Sequence, residues 1–312
     1  MFDVHAHFVP SDVLQWLREN AHLVHASFDK RVPEKEPFLT INQKWSFELK
    51  RAFYEPNLFF EEQEQALVTH TLISPIPQLF LYDFEHQITS EVAKLYNQSL
   101  QNFVHKNRNR VSALATLPLN HPEQAAEELS SAMKMGLKGA IIGPGHKGVP
   151  LSDERFSVLW DVADEQKAII FVHPLLNEDP RIRKKKMPNM IGVPWETTIA
   201  GLDLILCGVL DKYPNVKILL AHGGGFLPYQ VGRLEQGYKV WSDVRSSLQM
   251  NPLSYLKRFW YDSVLWDENA LQFLQGLVGA DRVLPGSDYP FDLKTWPPQV
   301  FDEAAARNFL GM

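Results

Sequence analysis

Five polar side chains close apolar runs of this chain, and their types suit one divalent metal. His5 and His7 form an H-x-H pair within Phe2-Asp3-Val4-His5-Ala6-His7-Phe8. Alternate residues of a strand face the same way, so both imidazoles project to one side. His173 follows Ala168-Ile169-Ile170-Phe171-Val172, and His222 follows Lys217-Ile218-Leu219-Leu220-Ala221. Asp288 follows Val283-Leu284-Pro285-Gly286-Ser287. Imidazole plus carboxylate, with one coordination position open, suits catalytic zinc or a similar ion. As unrelated buried groups, the same five would need five separate hydrogen-bonding solutions. The one cluster of like charge, Arg181-Ile182-Arg183-Lys184-Lys185-Lys186, reads as solvated loop; its alternative is a loop that attracts an anionic substrate.

Groups delivered by strand ends require strands to deliver them. Eight short apolar runs serve: Phe2 to Phe8, Ala66 to Ile73, Val111 to Leu117, Leu137 to Ile142, Ala168 to Val172, Val216 to Ala221, Phe259 to Val264 and Arg282 to Pro285. Helical patterns intervene, as over Pro122 to Lys134, Thr197 to Leu210 and Asp267 to Val278. Eight buried strands alternating with helices predict an α/β fold, a TIM (β/α)8 barrel, formed as a single domain over 1–312. Such barrels carry their active sites at the carboxyl ends of the strands, where all five groups fall. The stretch from Val9 to Gln65 is too long for a strand-to-helix connection. It predicts a small insertion after strand one, at about 9–65, with Phe38 to Ile41 and Trp45 to Phe47 pairing as a β-ribbon over the mouth.

Composition narrows the class. The 312 residues are 45% hydrophobic and 22% charged, ordinary for a globular enzyme. A net charge of −6 offers no footprint for nucleic acid. No apolar run approaches the roughly 18 residues of a membrane span. The opening Met1-Phe2-Asp3-Val4-His5 lacks the basic start of a signal peptide. A single cysteine, Cys207, excludes an intrachain disulfide and fits a reducing compartment, so a cytoplasmic location is expected.

H-x-H, His173-Pro174, Ala221-His222-Gly223-Gly224-Gly225 and Gly286-Ser287-Asp288-Tyr289-Pro290-Phe291, in this order, resemble the amidohydrolase superfamily. More narrowly, they resemble its decarboxylase branch, which acts on aminocarboxymuconate semialdehyde and hydroxybenzoates. Ile191 to Ala200 and Val231-Gly232-Arg233 extend the likeness, which covers nearly the whole chain. The resemblance implies that His5, His7, His173 and Asp288 ligate one metal, zinc or alternatively manganese. It implies that His222 moves a proton at metal-bound water, with Asp288 beside it. Many hydrolytic members bridge two metals through a lysine late in strand four, but Lys138 lies at the start of that strand, so one metal follows. Arg51 and Arg233 match carboxylate-binding arginines, Lys50 competes with Arg51, and Phe291 is placed to stack on a planar substrate. Arg233 follows strand six on the outer ring, and the resemblance implies a homodimer in which it reaches the neighbour's site. Leu175 and Leu176 stand where an aromatic is expected, and Trp195 sits inside the Gly-Val-Pro-x-Glu-Thr-Thr stretch. The implied activity is non-oxidative decarboxylation of a small unsaturated or aromatic carboxylic acid. Hydrolysis of a lactone or amide, hydration of a double bond, and a metal-binding barrel without turnover are the alternatives.

Overall fold

The computed structural model describes residues 1–299 and 303–312. Eight parallel barrel strands follow in order: β1 (Phe2–His7), β2 (His70–Ser74), β3 (Val111–Ala113 and Ala115–Thr116), β4 (Gly139–Ile142), β5 (Ile169–Val172), β6 (Lys217–Leu220), β7 (Trp260–Asp262) and β8 (Val283–Leu284). Each pairs with its sequence neighbour. The two pieces of β3 divide the work, the first bonding to β2 and the second to β4. Backbone bonds then join the last strand to the first. Val4 N–H donates to the Pro285 carbonyl at 2.8 Å, Asp288 N–H to His5 at 2.7 Å and His7 N–H to Tyr289 at 2.8 Å. The fold is a TIM barrel.

Almost every strand residue is buried, because the barrel face packs on itself and the outer face on helices. Pro122–Lys134 is helical as its apolar spacing requires, with the His121 side chain accepting from Gln124 N–H. Glu268–Val278 starts where Asp267 accepts from Ala270 N–H. The helix expected over Thr197 to Leu210 begins earlier, at Val193, and ends at Leu206. Gly208, at φ 74°, breaks it from a short turn over Val209–Lys212. Strand two likewise starts later than its β-branched residues suggest. Ala66 closes the helix Pro56–Gln65, and exposed Leu67 turns the chain at φ 58° before β2 begins.

Within 9–65, two helices (Ser11–Glu19 and Pro56–Gln65) flank an antiparallel sheet. The expected ribbon forms between Phe38–Ile41 and Trp45–Glu48, and Ser27–Asp29 adds a third strand that alternation had not marked. The ribbon's turn crosses the mouth. Lys44 Nζ lies 2.6 Å from Glu178, after β5, and 3.4 Å from Asp83, after β2. Among the described residues, no helix is long and apolar enough to cross a membrane.

Candidate metal centre

The carboxyl ends of β1, β5, β6 and β8 bring all five expected side chains together. His5 and His7 have ring centroids 5.2 Å apart, and His173 lies 5.2 Å from His5 and 5.3 Å from His7. His222 stands 5.5 Å from His5 and 5.3 Å from His173. Asp288 Oδ1 is 3.3 Å from His5 Nε2 and 3.2 Å from His7 Nε2, and Asp288 Oδ2 is 3.7 Å from His222 Nε2. Ligand atoms of His5, His173, His222 and Asp288 all lie within 4.8 Å of one another. All five residues are buried.

Hydrogen bonds on the far side of each ring set its orientation. His5 Nδ1 faces Asp262 Oδ2 at 2.6 Å, His7 Nδ1 the Pro75 carbonyl at 3.1 Å, and His173 Nδ1 the Pro174 carbonyl at 2.9 Å. Each acceptor holds the proton on Nδ1 and leaves the Nε2 lone pair pointing inward, the arrangement of metal-ligating histidines. His5 Nε2 and His7 Nε2 face each other at 3.2 Å, and buried His173 Nε2 has no hydrogen-bond partner among the described residues. Converging lone pairs repel unless a cation satisfies them, so the donor set fits a divalent ion. His222 differs: among the described residues no acceptor holds its buried Nδ1.

Electrostatics agree. Burial and the neighbouring imidazoles hold His173 neutral, far below its usual range, and burial lowers His7 as well. Burial alone would lower His5, but Asp288 and Asp262 outweigh it and push its pKa up to about 10. The carboxylates of Asp288 and Asp262 thus favour positive charge at His5, the sign that a bound cation would supply.

Sharp turns aim the β6 and β8 groups. His222 and Asp288 both adopt left-handed backbone, at φ 54° and 61°, a strain common at functional sites. Three glycines follow His222, and at the last, Gly225, a Cβ would fall 2.1 Å from the Pro194 carbonyl oxygen. At Gly286 a Cβ would fall 2.9 Å from that of Asp262 and 3.0 Å from that of His5.

The aromatic and basic candidates divide. Phe291 packs edge-on against His7 at 5.2 Å and is backed by Phe53 and Phe47 of the insertion. Arg51 is exposed and turned to Glu55, which accepts from its Nε and Nη2, each at 2.7 Å. Its neighbour Lys50 instead reaches the loop after Asp288, at 3.2 Å from the Pro290 carbonyl and 2.6 Å from Asp292. Arg233 is exposed on the helix Val231–Val240, and Glu235 accepts from Leu253 N–H at 2.9 Å. In the basic run only Ile182 is buried, and Arg181 pairs with Asp179 at 2.6 Å.

Two residues escaped sequence reasoning. Asp262 is fully buried at the end of β7 and accepts backbone N–H groups of His222, Gly223 and Val264 as well as the His5 ring. A lone carboxylate in the apolar run Phe259 to Val264 was its signal. Trp266, just beyond, lies 6.3 Å from His222 with ring planes 15° apart, and no spacing rule marks it.

A family model described as amidohydrolase matches residues 2–308. The chain belongs to the amidohydrolase family. Its relatives within that family include the 2-amino-3-carboxymuconate-6-semialdehyde decarboxylase of Dictyostelium discoideum, 29% identical over 320 residues, covering 99% of this chain and 89% of that protein. Among solved amidohydrolase-like barrels, the 5-carboxyvanillate decarboxylase of Sphingomonas paucimobilis superposes with a TM-score of 0.81 at 18% identity, over 100% of this chain and 99% of that one. A dihydroxybenzoic acid decarboxylase from Polaromonas, solved with manganese and 2-nitroresorcinol, gives 0.80 at 19% identity, over 99% and 96%.

Proposed function

We propose that this amidohydrolase is a metal-dependent non-oxidative decarboxylase of a small unsaturated or aromatic carboxylic acid. The observation that carries the metal assignment is the shared orientation of His5, His7 and His173, each with Nδ1 held outward. With Asp288 they form the ligand set, as a single domain with its 9–65 insertion over the mouth. His222 packs within the same 4.8 Å group, yet its unheld ring suits proton transfer better than ligation. The decarboxylases among its relatives support the reaction class. Manganese in the Polaromonas enzyme makes that ion a candidate alongside zinc.

When bound, the ion supplies Lewis-acid polarisation and a fixed point for the substrate's oxygens. His222 delivers a proton to the carbon that bears the carboxylate. The carbon–carbon bond then breaks, its electron pair restores the conjugated system, and carbon dioxide leaves. Phe291 offers an apolar face to the planar substrate, and Lys50 is better placed than Arg51 to attract its charge to the loop after β8. Burial of His222 and the ring cluster keeps bulk water from competing for the proton.

The oligomeric reading is a cytoplasmic homodimer. Tyr229 and Trp241, 79% and 55% exposed, flank exposed Arg233, a composition of interface cores. Mixing the inactive variants Arg233→Ala and His222→Ala should restore part of the activity if Arg233 serves a neighbouring site. Recovery without subunit exchange, or none with it, sinks that role. The reaction itself is tested with metal-loaded protein and a panel of hydroxybenzoates and unsaturated dicarboxylates. Release of carbon dioxide supports decarboxylation; acid production from lactones or amides without it favours hydrolysis.

A further inference from the structure

Trp266 has a large apolar face at the barrel mouth that the protein leaves 54% exposed, yet its position is closely fixed. Its backbone turns at φ 56°. On one side, the preceding Leu265 packs so tightly over the turn after β6 that a Cβ at Gly223 would meet it at 2.6 Å. On the other, Asp267 caps the helix Glu268–Val278. The indole Nε1–H donates to the Leu293 carbonyl at 2.5 Å, tying the ring to the loop that carries Phe291. An exposed indole normally samples several rotamers; this one is held in the orientation nearly parallel to the His222 imidazole.

A second aromatic ring borders the histidine cluster. Phe291 meets His7 edge-on, and Trp266 lies nearly parallel to His222 at 6.3 Å. The two rings therefore flank the inward-pointing imidazoles from the β8 and β7 sides. Fixing a flat apolar surface in advance removes the ordering cost of stacking and rewards a planar ligand. A saturated, puckered acid gains little from it.

We propose that Trp266 is a substrate-binding wall that selects planar conjugated acids over saturated ones of equal size and charge. This deepens the reading of the site given above and rests on it for the location of the substrate. It assigns Trp266 to recognition and leaves proton transfer to His222.

The test compares Trp266→Leu, apolar but not flat, with Trp266→Phe, which keeps a ring. Metal-loaded enzyme is titrated calorimetrically with 2,6-dihydroxybenzoate and with cyclohexanecarboxylate. Trp266→Leu should weaken the planar acid about three- to ten-fold, the range of a lost stacking contact, and leave the saturated acid unchanged. Trp266→Phe should retain most of the affinity for the planar acid. With a decarboxylated substrate, the same loss should appear in KM more than in kcat. Equal weakening of both acids by Trp266→Leu, or equal loss in the Phe and Leu variants, overturns the proposal. Metal content is measured in each variant, so a collapsed site is recognised by its missing ion. Calorimetry needs no turnover, so a protein that binds planar acids selectively but releases no carbon dioxide would refute the decarboxylase reading and leave Trp266's role standing.

Discussion

Replacing Asp262 with asparagine keeps the volume, removes the charge and exchanges one acceptor for a donor, which isolates how the second layer supports the proposed metal centre. The carboxylate receives four donors. Oδ2 takes His5 Nδ1–H at 2.6 Å and His222 N–H at 2.9 Å; Oδ1 takes Gly223 N–H at 2.9 Å and Val264 N–H at 3.1 Å. The amide has one oxygen. If that oxygen keeps Gly223 and Val264, its NH2 faces His222 N–H and the His5 ring. His5 must then accept at Nδ1 and carry its proton on Nε2, the nitrogen that faces Asp288 and His7. A buried N–H without an acceptor costs about 1–3 kcal/mol, and a lost charged hydrogen bond about 1.5–3 kcal/mol. Together these remove roughly 2.5–6 kcal/mol, a large share of an ordinary domain's 5–15 kcal/mol. Loss of an outer partner typically weakens metal affinity about 10- to 100-fold. Competition with a chelator of known affinity measures that change, and thermal unfolding measures the stability. A variant with wild-type affinity and stability would refute the argument that Asp262 fixes the His5 tautomer.

Three further outcomes follow from the same geometry. Gly286→Ala should destabilise the protein by about 1–3 kcal/mol, since its new Cβ presses on Asp262 and His5; unchanged denaturant midpoint and metal content would show that the turn relaxes. His222→Ala should retain the ion and lose turnover by about 10²- to 10⁴-fold, read from metal analysis beside rates; a metal-free variant places His222 among the ligands. Stripped of metal, the His5–Asp288 pair should stabilise the fold most from about pH 4 to 6.5, while the lowered His7 and His173 oppose it below 6.5. Burial raises the Asp288 carboxyl, but His5, His222 and His7 outweigh it, so its contribution is present above the ordinary carboxyl value of 3.8 and lost as pH falls. His5, raised to about 10, contributes fully below 6.5 and loses that contribution as pH climbs through its folded value. Thermal scans of stripped Asp288→Asn should lose the acid edge of this window and weaken the alkaline one, where Asp262 still faces His5; an unchanged profile would refute the pairing.

The parts of this molecule governed by short-range pattern were legible in the sequence. All eight strands lie where apolar runs stand, because burial on both faces demands continuous hydrophobic residues. His5, His7, His173, His222 and Asp288 were recognisable because each ends such a run. Their division into outward-held and unheld rings was not, since Pro75 and Pro174 act through carbonyls that any residue carries. Asp262 was missed because its role depends on β7 lying beside β6 and near β1, a matter of closure and not of local spacing. The partners of Arg51 and Lys50 were not legible either: an i,i+4 carboxylate, Glu55, holds the Arg51 guanidinium, while Lys50 turns towards the β8 loop. Lys44, whose reach to Glu178 and Asp83 anchors the insertion, carried no signal because its partners are 134 and 39 residues away in sequence.

The joining of first and last strands has a consequence for how this protein comes into being. His5 and Asp288 meet only when β1 bonds to the segment after β8, and Ser287 Oγ donates to Asp3 across a separation of 284 residues. A nascent chain lacking its final strand holds the three histidines of β1 and β5 without their carboxylate. Contacts this distant in sequence are late and slow to form. On the proposed ligand set, capture of the metal is expected at the end of folding, after synthesis has passed Asp288. Refolding followed in parallel by far-UV circular dichroism and by a metal-sensitive dye should show secondary structure first and ion uptake in the slowest phase.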